Sequence, residues 1–107
     1  MQLKNLYQKS LELSDNIFQI TQFWSNFCQT IIGFNLQKSA DSISINLGKI
    51  PKTKDKLKQQ LFTEEATENT IETLLWLDKA RRRKIINKRD YQHLYLDLKE
   101  LEESFSK

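Results

Sequence analysis

The chain has 107 residues, of which 38% are hydrophobic and 29% are charged, and its formal net charge is +3. This composition excludes a disordered chain, and the length allows a single domain, residues 1–107, with one hydrophobic core. Two glycines and one proline are too few for the turns of an all-β protein, so we predict an all-α fold. No leader-like segment or membrane-length apolar window is present, which predicts a cytoplasmic protein without membrane contact.

The first two predicted helices cover residues 2–31 and 35–48. In the first, apolar residues recur at alternating spacings of three and four for four heptads. They are Leu3, Leu6, Leu13, Ile17, Ile20, Trp24, Phe27 and Ile31. Gly33 is expected to end this helix. The second helix repeats the pattern from Leu36 to Leu47 and is expected to stop before Pro51.

The remaining predicted helices cover residues 55–84 and 88–105. The last has the clearest start, because Asn87 is a suitable N-cap and Asp90 follows three residues later. Short connections between four amphipathic helices make neighbouring helices antiparallel. We therefore predict an up-down-up-down four-helix bundle.

Twelve of the seventeen lysines and arginines fall in two short stretches, five in residues 49–58 and seven in residues 79–89. Clustered cations displace condensed counterions from nucleic acid, so the second stretch is the main candidate for binding it. The residues expected to bind are Arg81, Arg82, Arg83, Lys84, Lys88 and Arg89. The alternative is that basic residues favour the C-terminal end of the third helix, which accounts for one or two of the six.

In the first stretch, Lys52 and Lys54 are weaker candidates for the same role. A solvated charged loop explains these lysines better, because lysine lacks the bidentate geometry of arginine. An up-down-up-down bundle places the two stretches at opposite ends. The choice between RNA and DNA stays open.

Catalysis is not expected, and no catalytic residue is assigned. His93 is the single histidine and is predicted to be a surface residue, whereas Cys28 is predicted to be a buried, unreactive thiol. Helical carboxylates such as Glu68 lack the Glu-x-x-His partner of di-iron bundles, and no glycine-rich phosphate loop is present. We therefore expect no metal, no cofactor and no small-molecule substrate.

The stretch NLQKSADSISINLGKI, residues 35–50, resembles the second helix of the four-helix bundle proteins encoded within intervening sequences of bacterial 23S ribosomal RNA genes. Ser42, Ile43 and Asn46 match the motif of that family, and Ala66 and Glu72 match a run in its third helix. Gly48 and Lys49 replace the usual Ala-Glu-Gly. These five matching residues are assigned structural roles.

The resemblance implies a four-helix bundle without enzymatic activity, often assembled as a homo-oligomer such as a pentamer. Relatives of that family include accessory proteins of diversity-generating retroelements, which use basic surfaces for nucleic acid. Two hypotheses follow: an oligomer that binds RNA or a nucleoprotein through its basic ends, and a protein-protein interaction scaffold without nucleic-acid contact. Independently, Leu11, Phe18, Ile45 and Trp76 lie off the apolar stripes and favour self-association.

Overall fold

The computed structural model describes residues 2–106, which form four long helices and no strand within that range. The helices are α1 (Leu3–Thr21), the one-turn α2 (Asn26–Cys28), α3 (Phe34–Lys49), α4 (Lys56–Arg82) and α5 (Lys88–Phe105). A π-helical segment, Gln29–Gly33, joins α2 to α3, and a 3₁₀ turn, Ile50–Lys52, follows α3. The predicted all-α four-helix class is confirmed.

The predicted first helix, residues 2–31, is wrong, because α1 ends at Thr21 and the chain turns through residues 22–25. Ser25 restarts the helix as an N-cap whose hydroxyl accepts a hydrogen bond from the Cys28 amide at 3.2 Å. The Gln29 side chain then donates to the Thr21 carbonyl and holds the turn together. The chain therefore reverses about ten residues earlier than predicted.

Gly33 lies inside the helical segment instead of ending it, with φ of −55° and ψ of −46°. A Cβ atom there would lie 2.5 Å from Gln29 Oε1 and 3.4 Å from Trp24 Cε3. Glycine is therefore explained by the close approach of two side chains. It is not needed here as a helix terminator.

The C-terminal end of α3 and both ends of α4 lie within two residues of their predicted positions, and α5 has the predicted bounds. The predicted start of the second helix at residue 35 is wrong, because the helical segment that contains α3 begins at Asn26. The Asn87 side chain accepts a hydrogen bond from the Asp90 amide at 2.8 Å, so the predicted N-cap is confirmed. Asp55 caps α4 in the same way by accepting from the Leu57 amide at 2.9 Å. Local side-chain chemistry thus determines where these two helices begin.

The four long helices pack in the cyclic order α1, α3, α4, α5. In the contacts between neighbouring helices, residue numbers rise along one helix while they fall along the other. Between α3 and α4, Ser39 contacts Thr73 while Asn46 contacts Asn69. The last turn of α1 meets the first turn of α5, and Lys9, near the start of α1, reaches the later part of α5. Each helix therefore lies antiparallel to the neighbours it contacts through these pairs.

The core is made of aliphatic side chains from all four long helices. Fully buried members include Leu13, Ile17, Leu36, Ile43, Leu47, Leu77, Leu94, Leu98 and Leu101. Each such side chain stabilises the fold by about 1.5–3 kcal/mol relative to exposure. Helix α4 contributes smaller side chains: four of its five buried residues are Ala66, Thr70, Thr73 and Ala80. Small side chains let α3 and α4 approach closely.

Buried polar pairs cross the α3–α4 interface. The Thr73 hydroxyl donates to Ser39 Oγ at 2.9 Å, and the side-chain amides of Asn46 and Asn69 bond at 2.7 Å. A buried amide that loses its partner costs free energy, so these pairs favour one alignment of the two helices.

A cluster of charged residues joins α1 to α5. Lys9 Nζ lies 2.9 Å from Glu100 Oε2 and 3.5 Å from Asp97 Oδ1. Burial lowers the pKa of Lys9, but its hydrogen bond to Glu100 and the charge of Asp97 outweigh burial and raise that pKa above the usual lysine value. The ion pair therefore persists through neutral pH.

Candidate functional site

The predicted arginine cluster lies at the turn between α4 and α5, which we call the arginine end (residues 81–89). Helix α4 closes there with the Ile85 amide bonded to the Ala80 carbonyl at 2.9 Å and the Lys84 amide bonded to Arg81 at 3.1 Å. This is the Schellman pattern. It places Lys84 at φ of 58°, a left-handed conformation that glycine usually occupies. The tight turn brings the end of α4 next to the start of α5.

All six predicted residues of the arginine end are exposed: Arg81, Arg82, Arg83, Lys84, Lys88 and Arg89. Two of them lie beside carboxylates. Arg81 donates to Asp78 at 2.7 Å, and Arg89 Nε lies 3.7 Å from Asp90 Oδ1. The other four form no ion pair with a carboxylate of the described residues. The structure therefore brings the six together with four charges uncompensated.

Arg81 is positioned more firmly than its neighbours. The hydrogen bond to Asp78 raises the pKa of Arg81 above the usual arginine value. Its guanidinium also lies over the Tyr91 ring, 5.7 Å from the ring centroid. Arg81 is thus held in place by α4 and α5 and is less available to an added anion.

The lysine stretch occupies the other end of α4, which we call the lysine end (residues 49–58). Lys52 and Lys54 are both exposed. Lys49 lies over the Phe62 ring at 5.5 Å. Helix α4 has 27 residues, so about 40 Å of helix separates the two basic ends. The structure therefore does not combine Lys52 and Lys54 with the arginine end into one site.

An open groove at the arginine end was missed by sequence reasoning. It has a volume of about 690 Å³ and lies between the last turns of α1 and the first turn of α5. Its walls combine Phe23 and Trp24 with Lys84, Arg89, Asp90 and His93. Phe23 is 84% exposed. The available sequence signal was Ser25, a possible N-cap that would have placed Phe23 and Trp24 in a turn.

A second exposed feature is the outer face of α4, which we call the α4 stripe: Leu57, Leu61, Ile71 and Leu75. Their spacing puts them on one face, opposite the buried Ala66, Thr70 and Leu77. They are between 37% and 66% exposed. The exposed face of α4 therefore carries two apolar pairs, Leu57 with Leu61 and Ile71 with Leu75, and the acidic Glu64 and Glu68 lie between the pairs.

A family model for the 23S rRNA-intervening sequence protein matches residues 3–107. The chain belongs to this family. A solved structure with the same fold is that of a protein of unknown function from the S23 ribosomal protein family of Bacteroides thetaiotaomicron. The two chains are 21% identical, the alignment covers 98% of this chain and 95% of that one, and the TM-score is 0.88. No curated protein matches the chain.

The five residues predicted to match the family motif lie on α3 and α4. Ile43 and Ala66 are fully buried in the core, and Asn46 is buried and bonded to Asn69. The Ser42 hydroxyl donates to the Lys38 carbonyl at 2.9 Å. Glu72, in contrast, is exposed on α4. Of these five residues, Ile43 and Ala66 thus belong to the core, and Asn46 bonds across the α3–α4 interface.

The side chains considered for catalysis are dispersed. His93 has a side chain that is 63% exposed, with Nε2 3.6 Å from Asp97. Cys28 is half-buried, which differs from the buried thiol predicted, because it lies in the short α2 at the edge of the bundle. Within residues 2–106 no group of acidic, histidine or cysteine side chains is arranged to hold a metal ion. No helix in that range combines the length and the apolar character required to cross a bilayer.

Proposed function

We propose that this member of the 23S rRNA-intervening sequence protein family is a non-enzymatic, cytoplasmic protein that binds RNA, free or in a nucleoprotein, through the arginine end. The observation that supports this proposal is that six exposed cations lie within residues 81–89 at one end of the bundle, four of them without a carboxylate partner. Such a cluster gains free energy from counterion release when it meets a phosphate backbone. The lysine end, with Lys52 and Lys54, is the weaker contact.

Helix capping accounts for only part of this charge. Basic residues in the last turn of a helix interact favourably with its dipole, and Arg81 and Arg82 lie there. Lys88 and Arg89 lie in the first turn of α5, where the dipole disfavours positive charge. The dipole of α4 therefore explains Arg81 and Arg82 but does not explain why Lys88 and Arg89 also lie at this end of the bundle.

Lys84 gives a further argument. A non-glycine residue in the left-handed conformation costs roughly 1 kcal/mol or more, and glycine would close the same turn without that cost. Lysine at this position therefore adds a charge to the arginine end at the expense of stability. A role for the Lys84 charge in binding explains why lysine occupies this position despite the loss of stability.

The test is a titration of a labelled, structured RNA at low and moderate salt with wild-type protein and the double variant Arg83→Glu/Lys88→Glu. The matched control is Lys4→Glu/Lys38→Glu, which changes the net charge equally at exposed positions on α1 and α3. Salt-sensitive wild-type binding that is lost in the first variant and kept in the control supports the proposal. Equal losses in both variants, or no RNA binding by the wild type, refute it.

The alternative function is a protein-interaction scaffold, and the α4 stripe favours a homo-oligomer as its simplest form. We propose a second copy as the partner of this face because its charges are self-complementary. In an antiparallel pair with a two-fold axis near residue 73, Glu68 of each copy faces Lys79 of the other. Ile71 and Leu75 of both copies are then buried at the centre.

This pairing is symmetric and predicts an even subunit number, whereas the pentamer implied by family resemblance needs a head-to-tail interface. Light scattering coupled to size-exclusion chromatography measures the subunit number directly. Leu75→Glu should dissociate the assembly, and Leu96→Glu, at a 67% exposed position on α5, is the control. A monomeric wild type, or an assembly unchanged by Leu75→Glu, contradicts the α4 pairing.

A further inference from the structure

The groove at the arginine end has the components of a site for an unpaired nucleotide. We infer that it binds single-stranded RNA, with one base stacked on Phe23 and the adjacent phosphate on Lys84. Both residues line the groove. This inference rests on the proposed RNA-binding function and adds to it the form of RNA that is recognised.

Phe23 is the central observation. Its side chain is 84% exposed, the largest exposure among the large hydrophobic side chains of the described residues. It lies in a turn that is fixed on both sides, by the Trp24 amide bonded to the Thr21 carbonyl at 2.9 Å and by the Ser25 cap. The backbone that carries this exposed ring is thus held in one conformation, so stacking a base on Phe23 needs to order only the side chain.

Trp24 also lines this groove and connects it to the hydrophobic core. It is half-buried, packs against the hydrophobic core and lies next to Gly33. Because Trp24 is anchored, the neighbouring Phe23 is positioned relative to α5 and does not depend on a free loop. The groove is thus built from a fixed part of the bundle.

The charges around the groove favour a nucleotide over an apolar ligand. Lys84 and Arg89 contribute two cations, and Arg89 has a side chain that is 91% exposed. Asp90 also lines the groove, but it accepts a hydrogen bond from the Asn87 amide group at 2.9 Å and lies 3.7 Å from Arg89. Its charge is therefore partly offset, and a phosphate is expected on the Lys84 side. An anionic ligand with a flat aromatic ring satisfies both walls.

Base pairing decides which RNA can use the groove. In a duplex the base faces are covered by their stacked neighbours, so Phe23 can reach only unpaired bases. Two other polar side chains that line the groove, Asn16 and Gln19, can hydrogen-bond to the edge of such a base. The groove therefore distinguishes loops and single strands from helical RNA.

The experiment compares a fluorescently labelled single-stranded RNA with a duplex of the same sequence, using wild-type protein and Phe23→Ala. The matched control is Phe27→Ala, because Phe27 is 71% exposed nearby in α2 and does not line the groove. Loss of one stacking contact should weaken single-strand binding roughly 5- to 150-fold and leave the salt dependence unchanged. Duplex binding should be the same in all three proteins.

The outcomes separate this inference from the proposed function. In one outcome, wild-type binding depends on salt and on Arg83 and Lys88, but Phe23→Ala and Phe27→Ala bind single-stranded RNA with equal affinity. This outcome overturns the groove inference and leaves the proposed function intact. Equal losses for single strand and duplex in Phe23→Ala also overturn it. No RNA binding by the wild type overturns both. Circular dichroism of Phe23→Ala verifies the fold, which an exposed substitution should preserve.

Discussion

The steepness with which salt weakens RNA binding should report how many cations of the arginine end are free. For single strands the slope of log K against log salt is about −0.7 for each phosphate contact. Arg82, Arg83, Lys84 and Lys88 form no ion pair with a described carboxylate. Four contacts predict a slope of about −2.8, so raising the salt from 50 to 200 mM should weaken binding about 50-fold.

Variants distinguish free cations from paired ones. Arg83→Gln/Lys88→Gln removes two free charges and should reduce the slope to about −1.4, which is about a sevenfold loss over the same salt range. The single substitution Arg81→Gln should change the slope less than Arg83→Gln alone or Lys88→Gln alone, because Arg81 is already paired with Asp78 at 2.7 Å. Fluorescence anisotropy at four or more salt concentrations measures these slopes. A slope that stays near −2.8 in the double variant, or an equal effect of Arg81→Gln, refutes this assignment.

Three further predictions concern stability. Lys84→Gly should raise the unfolding free energy by about 1 kcal/mol, seen as a higher Tm, because glycine fits the left-handed position without strain; an unchanged or lower Tm contradicts this. Lys9→Met should destabilise the protein at neutral pH, and the deficit should shrink as the pH rises above about 10.5. The pKa of Lys9 is raised in the folded protein, so the ion pair stabilises the fold fully at any pH below the unfolded pKa. That stabilisation is lost as the pH rises through the folded pKa. Denaturant titrations across pH test this, and a deficit that persists at pH 12 contradicts it. Asn46→Ala should cost about 1–3 kcal/mol by leaving the Asn69 amide without its partner, and the double variant with Asn69→Ala should recover part of that cost in the same titrations.

The fourth predicted helix agrees with the structure because its start is determined locally. Asn87 caps the first turn through its own side chain, and the apolar spacing then continues without a reversal. The predicted length of the first helix is wrong because the apolar spacing continues across the turn at residues 22–25. Trp24 and Ile31 pack against the core after the chain has reversed, so the pattern alone cannot show the reversal. Phe27, predicted in the same stripe, is 71% exposed.

The position of the arginine end was predictable, since six cations lie within nine residues of sequence. The arrangement of its charges was only partly predictable. The pairing of Arg81 with Asp78 joins residues three apart on one helix and could be anticipated, but the stacking of Arg81 over Tyr91 depends on how α5 packs. The groove joins Phe23 to Arg89 across more than sixty residues, and only the tertiary fold reveals it.

The α3–α4 polar pairs have a consequence for the proposed binding of one RNA by both basic ends. Because Ser39–Thr73 and Asn46–Asn69 hold these helices in one alignment, the molecule keeps its long axis of 43 Å. This length is about five Debye lengths at physiological ionic strength, so neither end senses the charge of the other. An RNA long enough to reach both ends would bind by avidity, with an effective concentration determined by the RNA's own stiffness. The bundle would then act as a spacer of constant length between two anchoring points.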